Sequence, residues 1–237
     1  MSSAAPGSLD LFTTVALKGV LEELEPEFRQ THGRGFAMTF GPGGIALERI
    51  RAGHIHDVVV SAPPVLETLT KEGYLVPGTS VELVRSIVGV AVPAGAPKPC
   101  IDTVEAFRQA LLDAETVAYT NPATGAASGV HMVKVLEKLG IKDAVNAKAR
   151  LGSGGPVAEF LARGEATLAI QQICEHMLVP GVDVVGPVPP ELQTVTTLGI
   201  ALHARAPSPE PAKALIALLR SERAQSIVAK HGLERVT

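Results

Sequence analysis

Between Asn121 and Gly129 the chain reads NPATGAASG, a stretch in which almost every side chain is small. It joins an apolar segment to an amphipathic one, so we expect it at the N-terminus of a helix. The first amide groups of a helix have no partner inside the helix and stand at the positive end of its dipole. Small residues would let a ligand reach these amides. The stretch therefore indicates either an anion-binding turn or a helix that Thr124 simply caps.

An arginine interrupts an apolar β segment in ELVRSIVGV, where it is Arg85. Such a side chain either stays solvated at the edge of a sheet or points into a cleft. In a cleft, its planar guanidinium would suit a carboxylate held at two points. The second alternative favours an organic acid over a metal oxyanion as the ligand.

Polar side chains also end two apolar segments. Gln171 and Gln172 follow ATLAI, where a buried strand would continue with apolar residues, and Ser61 ends DVVVS before two prolines. Alternation along the strand directs one glutamine to the core and the other to a crevice, with structural hydrogen bonding as the alternative for both. Ser61 is either a ligand contact or a helix cap.

The histidines offer little catalytic chemistry. His54 and His56 in GHIHDVV have only Asp57 nearby as a further ligand, so we expect a solvated loop and no metal site. His131 either reaches a ligand or faces a neighbouring helix, and it is the only candidate for a catalytic base. The chain has no P-loop, no GxGxxG fingerprint and no GxSxG elbow. These absences favour a binding protein without a cofactor.

Composition narrows the classes of ligand. The 237 residues are 46% hydrophobic and 19% charged with a net charge of -3, which is typical of a globular protein and argues against nucleic acid. The absence of Trp, with two Tyr and six Phe, argues against a stacked sugar or base. No apolar run approaches the roughly 18 residues of a membrane span. Cys100 and Cys174 lack metal or redox spacing, so we expect two buried thiols.

Strand and helix signals alternate along the chain, which predicts an α/β fold with doubly wound sheets. Two long β segments, Val81–Val92 and TVTTLGIALHARA, exceed the usual strand length and are interpreted as paired crossings between two lobes. Two C-terminal helices, with a break near Ser221, then return to the first lobe. We therefore expect lobe I to comprise residues 1–84 and 198–237, and lobe II residues 85–197.

The order of these elements, with the turn FGPGG, the helix end IRAG, the strand DVVVSA and the later segment NPATGAASGVHMVKVLEKLG, resembles the type II solute-binding proteins. Within them the chain is most similar to the periplasmic molybdate-binding proteins, from about Leu9 to Gly232. The resemblance implies two α/β lobes joined by a two-strand hinge, with a small anion held between the lobes by backbone amides and hydroxyls. The bare turns Gly41–Gly44, Thr124–Gly129 and Gly152–Gly155 would then be three helix mouths at one crevice.

The family's ligand-holding side chains are only partly retained. Where the family has a serine at the start of the first helix, this chain has Ala16, and a second such serine corresponds to Gly43. A family tyrosine corresponds by spacing to Gln172. The loss of hydroxyls argues against molybdate or tungstate itself, because a buried oxyanion needs nearly every oxygen satisfied. The expected ligand-binding residues are Thr13, Thr14, Ala16, Gly43, Gly44, Ser61, Arg85, Thr124, Ala127, Ser128, Gly154, Gly155, Gln171 and Gln172.

The function that the resemblance implies is binding of a small anion, an organic carboxylate or a tetrahedral oxyanion, for an ABC-type membrane transporter or as a sensor. An isomerase of a small tricarboxylic acid is the alternative, because some relatives of molybdate-binding proteins act as aconitate isomerases. That reaction needs a base near an acidic carbon, so binding is favoured. The N-terminus lacks the pattern of a secretory leader. We therefore expect a cytoplasmic protein, or a periplasmic one if a leader was removed.

Overall fold

The computed structural model describes residues 7–236 and divides them into two units. The first unit contains the described residues up to Arg85 and from Thr197 onward, and the second runs from Ser86 to Thr196. The chain passes from one unit to the other within strand β4 (Val81–Pro93) and returns within strand β9 (Val195–Leu202). The first six residues, on which the expectation about a leader partly rests, lie outside the described range, as does Thr237.

The sheet of the first unit is built on parallel strands. Strand β1 pairs in parallel with both β2 and β3, and β3 pairs antiparallel with β9. Strand β3 is buried along its whole length, as its unbroken apolar sequence predicts for a parallel strand. The elements before β4 are β1 (Ser8–Thr13), α1 (Lys18–His32), β2 (Gly35–Phe40), α2 (Gly43–Arg51), β3 (Val58–Ser61) and α3 (Pro63–Lys71).

The C-terminal segment of the first unit forms α9 (Pro209–Arg220), α10 (Glu222–Lys230) and β10 (Glu234–Arg235). Ser221 separates the two helices, and its Oγ accepts a hydrogen bond of 3.3 Å from Ala224 N, so it caps α10. The predicted break near Ser221 is therefore confirmed. Strand β10 pairs antiparallel with the first half of β4, which keeps this segment within the first unit.

The second unit repeats the parallel arrangement. Strand β5 pairs in parallel with β6 and β7, and β4 pairs antiparallel with β7 and β8. A hydrophobic core that includes Phe107, Leu111, Tyr119 and Leu136 packs between the sheet and its helices. The elements are α4 (Val104–Asp113), β5 (Val117–Thr120), α5 (Ala127–Lys138), α6 (Lys142–Asn146), β6 (Ala149–Gly152), α7 (Ala158–Ala162), β7 (Leu168–Gln172), α8 (Ile173–His176) and β8 (Val182–Pro187).

Strand register aligns the carboxyl ends in each unit. In the first unit Thr13 is opposite Phe40, and in the second Thr120 is opposite Gly152. Parallel strands that end together present the following turns and helix starts on one edge of the sheet. Each unit therefore has one edge at which residues far apart in sequence come together.

Helix α4 is capped by Thr103, whose Oγ1 accepts a hydrogen bond of 3.1 Å from Ala106 N. One local expectation is wrong. Cys174 is buried as expected, but Cys100 is exposed. Among residues 7–236, none of the helices is both long and apolar enough to cross a bilayer.

Candidate functional site

At the carboxyl edge of the first unit, where its parallel strands end, several helical segments begin without a side-chain cap. Strands β1, β2 and β3 lead into a 3-10 turn (Val15–Leu17), α2 and α3, and none of these starts has a side-chain cap hydrogen bond. Helix α3 begins with proline, which has no amide hydrogen. Helix α2 begins with Gly43 and Gly44, and its start is therefore the main source of unbonded amides in this unit.

Gly43 and Ser61 lie side by side at this edge. A methyl group at Gly43 would stand 2.8 Å from Val65 Cγ2 and 3.2 Å from Ser61 Oγ, so α2 approaches the end of β3 closely. Ser61 is 1% exposed. A methyl group at Gly44 would meet nothing within 4 Å. Three of the expected residues are thus brought together, with Gly44 on the open side.

Thr13, Thr14 and Ala16 differ in what they offer a ligand. The Thr13 side chain is fully buried, and its hydroxyl donates a 3.4 Å hydrogen bond to Thr14 O. Ala16 is buried in the 3-10 turn and has only its main chain to contribute. Thr14 Oγ1 is buried and has no hydrogen-bond partner among the described residues. Because an unsatisfied buried hydroxyl is costly, Thr14 is the strongest side-chain candidate in this unit.

The start of α5 is the corresponding feature of the second unit. Ala126 occupies the cap position without a side-chain cap, and Val130 N is the amide that closes the first helical bond, to Ala126 O. The amides of Ala127 and Ser128 precede that bond. Ser128 is 6% exposed, and its Oγ donates a 3.2 Å hydrogen bond to Thr120 Oγ1 at the end of β5. Amides and hydroxyls therefore meet at one place.

Gly129 makes this arrangement possible. A methyl group at Gly129 would lie 2.5 Å from the Thr120 carbonyl oxygen, a distance that real Cβ atoms do not reach. Only glycine therefore lets α5 begin so close to β5. Neither Thr120 nor Gly129 was among the predicted site residues, although the strand end and the unbroken run of small residues were visible in the sequence.

Thr124 does not cap α5. Its hydroxyl donates a 2.8 Å hydrogen bond to Asn121 O and accepts a 3.4 Å hydrogen bond from Ala126 N. Asn121 Oδ1 in turn accepts a 3.0 Å bond from Ala123 N, and Gly125 has a φ of 72° that favours glycine. The turn is closed by its own hydrogen bonds, and the helix start beyond it is left uncapped.

The turn Gly152–Gly155 is not a helix mouth, contrary to expectation. Helix α7 begins only at Ala158, and the amide of Val157 is already bonded to Gln171 Oε1 at 2.7 Å. Gln171 Nε2 also donates a 3.4 Å hydrogen bond to Gly155 O. Gln171 is 3% exposed, so it holds this turn in place as a structural residue. Gly154 remains exposed at the tip of the turn.

Gln172 ends β7 and leads directly into α8. Its Nε2 donates a 3.2 Å hydrogen bond to Thr196 Oγ1, where the chain is about to leave the second unit. His176, at the end of α8, is buried, with its Nε2 3.1 Å from Gln171 N and 3.2 Å from Gly89 O. Burial lowers the pKa of His176 to about 4, so the ring is neutral at neutral pH.

A carboxyl group that the sequence analysis missed lies in the same short helix. Glu175 is half-buried and has no hydrogen bond or ion pair among the described residues, and desolvation raises its pKa to about 8. His131 is therefore not the only group that could exchange a proton near this edge. A helix of four residues is too short to show a periodic pattern, so no pattern of residues indicated the burial of Glu175.

Two further candidates, Arg85 and His131, have other roles: the first is exposed and the second is hydrogen-bonded to the backbone. Arg85 is exposed, and its backbone pairs with Glu234 of β10. This position favours the alternative of a solvated guanidinium. His131 Nε2 donates a 2.7 Å hydrogen bond to Leu192 O, so that nitrogen is occupied by a structural contact.

The expected solvated loop at GHIHDVV is wrong. His56 and Asp57 are 3% and 2% exposed, and His56 Nδ1 lies 2.7 Å from Asp10 Oδ1. Asp57 accepts hydrogen bonds from Asp10 N at 2.9 Å and Ser208 N at 2.6 Å. In the described part of the chain, no group of His, Cys, Asp and Glu side chains is arranged to hold a metal ion. The cluster instead ties the amino ends of β1 and β3 to the C-terminal segment.

Comparison with known sequences identifies relatives along nearly the whole chain. The family described as bacterial extracellular solute-binding protein matches residues 9–234. An aconitate isomerase from Pseudomonas sp is 31% identical over 235 residues, which covers 97% of this chain and 88% of the relative.

Solved structures share the fold. The periplasmic molybdate-binding protein of Azotobacter vinelandii has a TM-score of 0.78 at 20% identity, with 97% of this chain and 99% of that chain covered. The substrate-binding domain of a putative molybdenum ABC transporter from Clostridium difficile has a TM-score of 0.72 at 19% identity and the same coverage. These matches confirm the predicted α/β fold of the periplasmic binding proteins. Together with the family match, they show that the chain belongs to the bacterial extracellular solute-binding protein family.

Proposed function

We propose that this chain binds a small organic anion with several carboxylates through main-chain amides and hydroxyls at the carboxyl edge of its second unit. The observation that carries the proposal is the uncapped start of α5 beside the hydroxyl pair of Thr120 and Ser128. The uncapped start of α2 and the unsatisfied Thr14 hydroxyl offer similar donors in the first unit. Such donors match carboxylate oxygens without a charged partner.

An organic acid is favoured over a metal oxyanion. The relative named aconitate isomerase is 31% identical, whereas the structurally similar molybdate-binding protein is 20% identical. The two positions where molybdate-binding proteins would have serines are Ala16 and Gly43 here. A buried tetrahedral oxyanion needs nearly all of its oxygens satisfied, and these positions supply only main-chain amides.

The proposed role is capture of a solute for a membrane transporter. Membership of a family of extracellular solute-binding proteins supports a location outside the cytoplasm and a partner of the ABC-transporter type. The related Clostridium difficile domain is itself described as part of a putative molybdenum ABC transporter.

Isomerisation of a small tricarboxylic acid is the second candidate, and the aconitate isomerase relative favours it. A base would take a proton from a carbon next to a carboxylate, and hydrogen-bond donors would stabilise the enolate-like charge until the proton returns to the other end of the double bond. The amides at the start of α5 are suitable donors. Glu175 is a carboxyl group in α8, the helix that follows the neighbouring strand β7, and burial raises its pKa to about 8.

A thermal-shift screen with citrate, cis-aconitate, trans-aconitate, sulfate, molybdate and tungstate tests the binding proposal. Saturating ligand at about 100 times its Kd adds about 2.7 kcal/mol to the free energy of unfolding, which moves the Tm by several degrees. We expect stabilisation by the tricarboxylates. Stabilisation by molybdate and tungstate alone would reject the organic-anion proposal.

The second candidate is tested by incubating the protein with cis-aconitate and following the trans isomer by proton NMR. Enzyme turnover would produce trans-aconitate faster than a boiled-protein control. Binding without turnover would leave the protein as a solute-binding protein and remove the isomerase.

A further inference from the structure

Helix α8 is anchored to both segments that connect the two units. Gln172, immediately before the helix, donates its side-chain hydrogen bond to Thr196 Oγ1 at 3.2 Å. Within the helix, Cys174 Sγ lies 3.3 Å from Ser86 Oγ. Ser86 and Thr196 are the first and last residues of the second unit. Helix α8 and the residue before it therefore contact both points at which the chain enters and leaves this unit.

Glu175 places an ionisable group in this anchored helix. Its side chain is half-buried and is neither paired nor hydrogen-bonded within residues 7–236. Strand β7, which leads into α8, is the neighbour of β5, whose end carries Thr120 and the uncapped start of α5. Ile170 of β7 is opposite Tyr119 of β5, so α8 begins at the same edge of adjacent parallel strands as α5, where anion binding is proposed.

Few other charges act on this carboxyl group. On α8 itself, Cys174 and His176 are uncharged at neutral pH, because burial raises the pKa of Cys174 to about 12 and lowers that of His176 to about 4. Asp183 on β8 accepts a 2.9 Å hydrogen bond from Gly95 N. Strand β7, the Ser86–Pro93 half of β4, and Val195 and Thr196 of β9 carry no ionisable side chain. No cation on these elements compensates an ionised Glu175.

We propose that Glu175 makes anion binding proton-linked, so that the site accepts its anion with the Glu175 carboxyl protonated and loses affinity as that carboxyl ionises. The proposal rests on the anion-binding function proposed above. Its physical basis is that an uncompensated carboxylate repels an anion at the same edge, whereas the neutral acid does not. By linkage, a bound anion must then hold the proton on Glu175 more tightly.

The test measures the Kd of trans-aconitate by calorimetry between pH 7 and pH 9, a range in which the three carboxylates of the probe stay ionised. The pKa of Glu175 in the free protein is raised to about 8. The wild-type Kd should therefore rise about fivefold or more across this range. At pH 8, calorimetry in two buffers with different ionisation enthalpies should show uptake of up to about half a proton per bound anion.

Glu175→Gln supplies the matched variant, because glutamine has the shape of the protonated acid and cannot ionise. Its Kd at pH 7 should be within about twofold of the wild-type value and should stay flat to pH 9. Glu115→Gln, at an exposed position of the same unit, should keep the wild-type pH dependence. Circular dichroism establishes that each variant is folded, and the buffer comparison on the wild-type protein does not depend on any variant.

The outcomes separate this proposal from the one on which it rests. If the wild-type protein binds trans-aconitate at pH 7 but shows a flat Kd and no proton uptake, the role of Glu175 is overturned and anion binding stands. The same holds if Glu175→Gln retains the wild-type pH dependence. If the wild-type protein binds no organic anion at pH 7, both proposals fall.

Discussion

In both units the parallel strands end together at one edge, but the residues that follow the strands differ between the two edges. In the first unit, the start of α2 carries glycines and lies against the buried Ser61, with the Thr14 hydroxyl as the unsatisfied polar side chain. In the second unit, the start of α5 lies beside a hydroxyl pair, Gln171 braces the turn before α7, and the ionisable Glu175 lies in α8. The first edge thus offers mainly main-chain donors, and the second adds side chains that hold and tune them.

The difference shows that exposed main-chain amides at the second edge depend on buried residues that hold the backbone in place. Gly129 lets α5 start against the Thr120 carbonyl, and Gln171 fixes the turn between β6 and α7. The first unit needs fewer such supports, because α2 packs directly on the end of β3.

Acidification should destabilise the first unit more than the second. His203 in the first unit and His176 in the second are buried with pKa values lowered to about 4, so stability falls as pH drops from about 6.5 toward 4. In the second unit, Glu175 has a raised pKa, so its folded form gains stability as pH falls from about 8 and offsets the loss. Each histidine costs roughly 2 to 3 kcal/mol at pH 4.5.

Native-state hydrogen exchange at pH 7 and pH 4.5, corrected for intrinsic rates, measures this difference. Amides of β1 and β3 should lose protection by about 3 kcal/mol relative to those of β5 and β7. His203→Gln should reduce the loss in the first unit. Equal losses of protection in both units, or a larger loss in the second, would contradict the opposed titrations.

Gly129→Ala should destabilise the protein far more than Gly43→Ala. The new methyl group would lie 2.5 Å from a backbone carbonyl at Gly129, but 2.8 Å from the movable Val65 side chain at Gly43. We expect a cost of about 3 kcal/mol for the first change and about 1 kcal/mol for the second, by urea denaturation. Gly44→Ala, which meets nothing within 4 Å, is the control and should be neutral or slightly stabilising. Equal costs at positions 129 and 43 would contradict the close approach of α5 to β5.

Much of the fold could be predicted from the sequence, because it depends on periodic apolar residues. Leu21, Leu24 and Phe28 recur at helical spacing and are buried in α1, and the run of valines at 58–60 is the buried strand β3. The position of the start of α5 was predicted from its small residues, while a Thr124 cap and an uncapped start both remained open. These features are local, so neighbouring residues determine them.

The supports of the site could not be predicted, because their partners are distant in sequence. His56 and Asp57 look like loop residues until Asp10 and Ser208 are brought to them from 46 and 151 positions away. Gln171 has its partner at Val157, in a turn whose path only the fold defines. The sequence therefore predicted where the helices begin but not the side chains that hold the neighbouring turns.

Gln171→Leu should cost about 2 kcal/mol, because it leaves the Val157 amide and the Gly155 carbonyl without their partner. Gln172→Leu should cost less than about 1 kcal/mol, since Thr196, its partner, is only half-buried and can bond to water. Urea denaturation of both variants measures the contrast. A larger cost at Gln172 than at Gln171 would show that the brace of the turn is not the main support.

Ser128→Ala should have a small effect on folding and a measurable effect on binding. Loss of the hydroxyl removes one donor beside the start of α5, so the Kd for trans-aconitate should rise about tenfold, with a cost in stability near 1 kcal/mol. Ser153→Ala, on the exposed turn after β6, is the matched control and should leave the Kd unchanged. Equal affinities for both variants would place the ligand away from α5.

The most direct test of the proposed site is to titrate isotopically labelled protein with trans-aconitate and follow the backbone amides by NMR. We predict that the amides of Ala127 and Ser128 shift most and that their shifts saturate. Shifts confined to other surfaces would contradict the proposed site, for example to the groove of the second unit lined by Ile87, Ile101, Pro189 and Gln193. So would saturable binding that leaves these two amides unmoved.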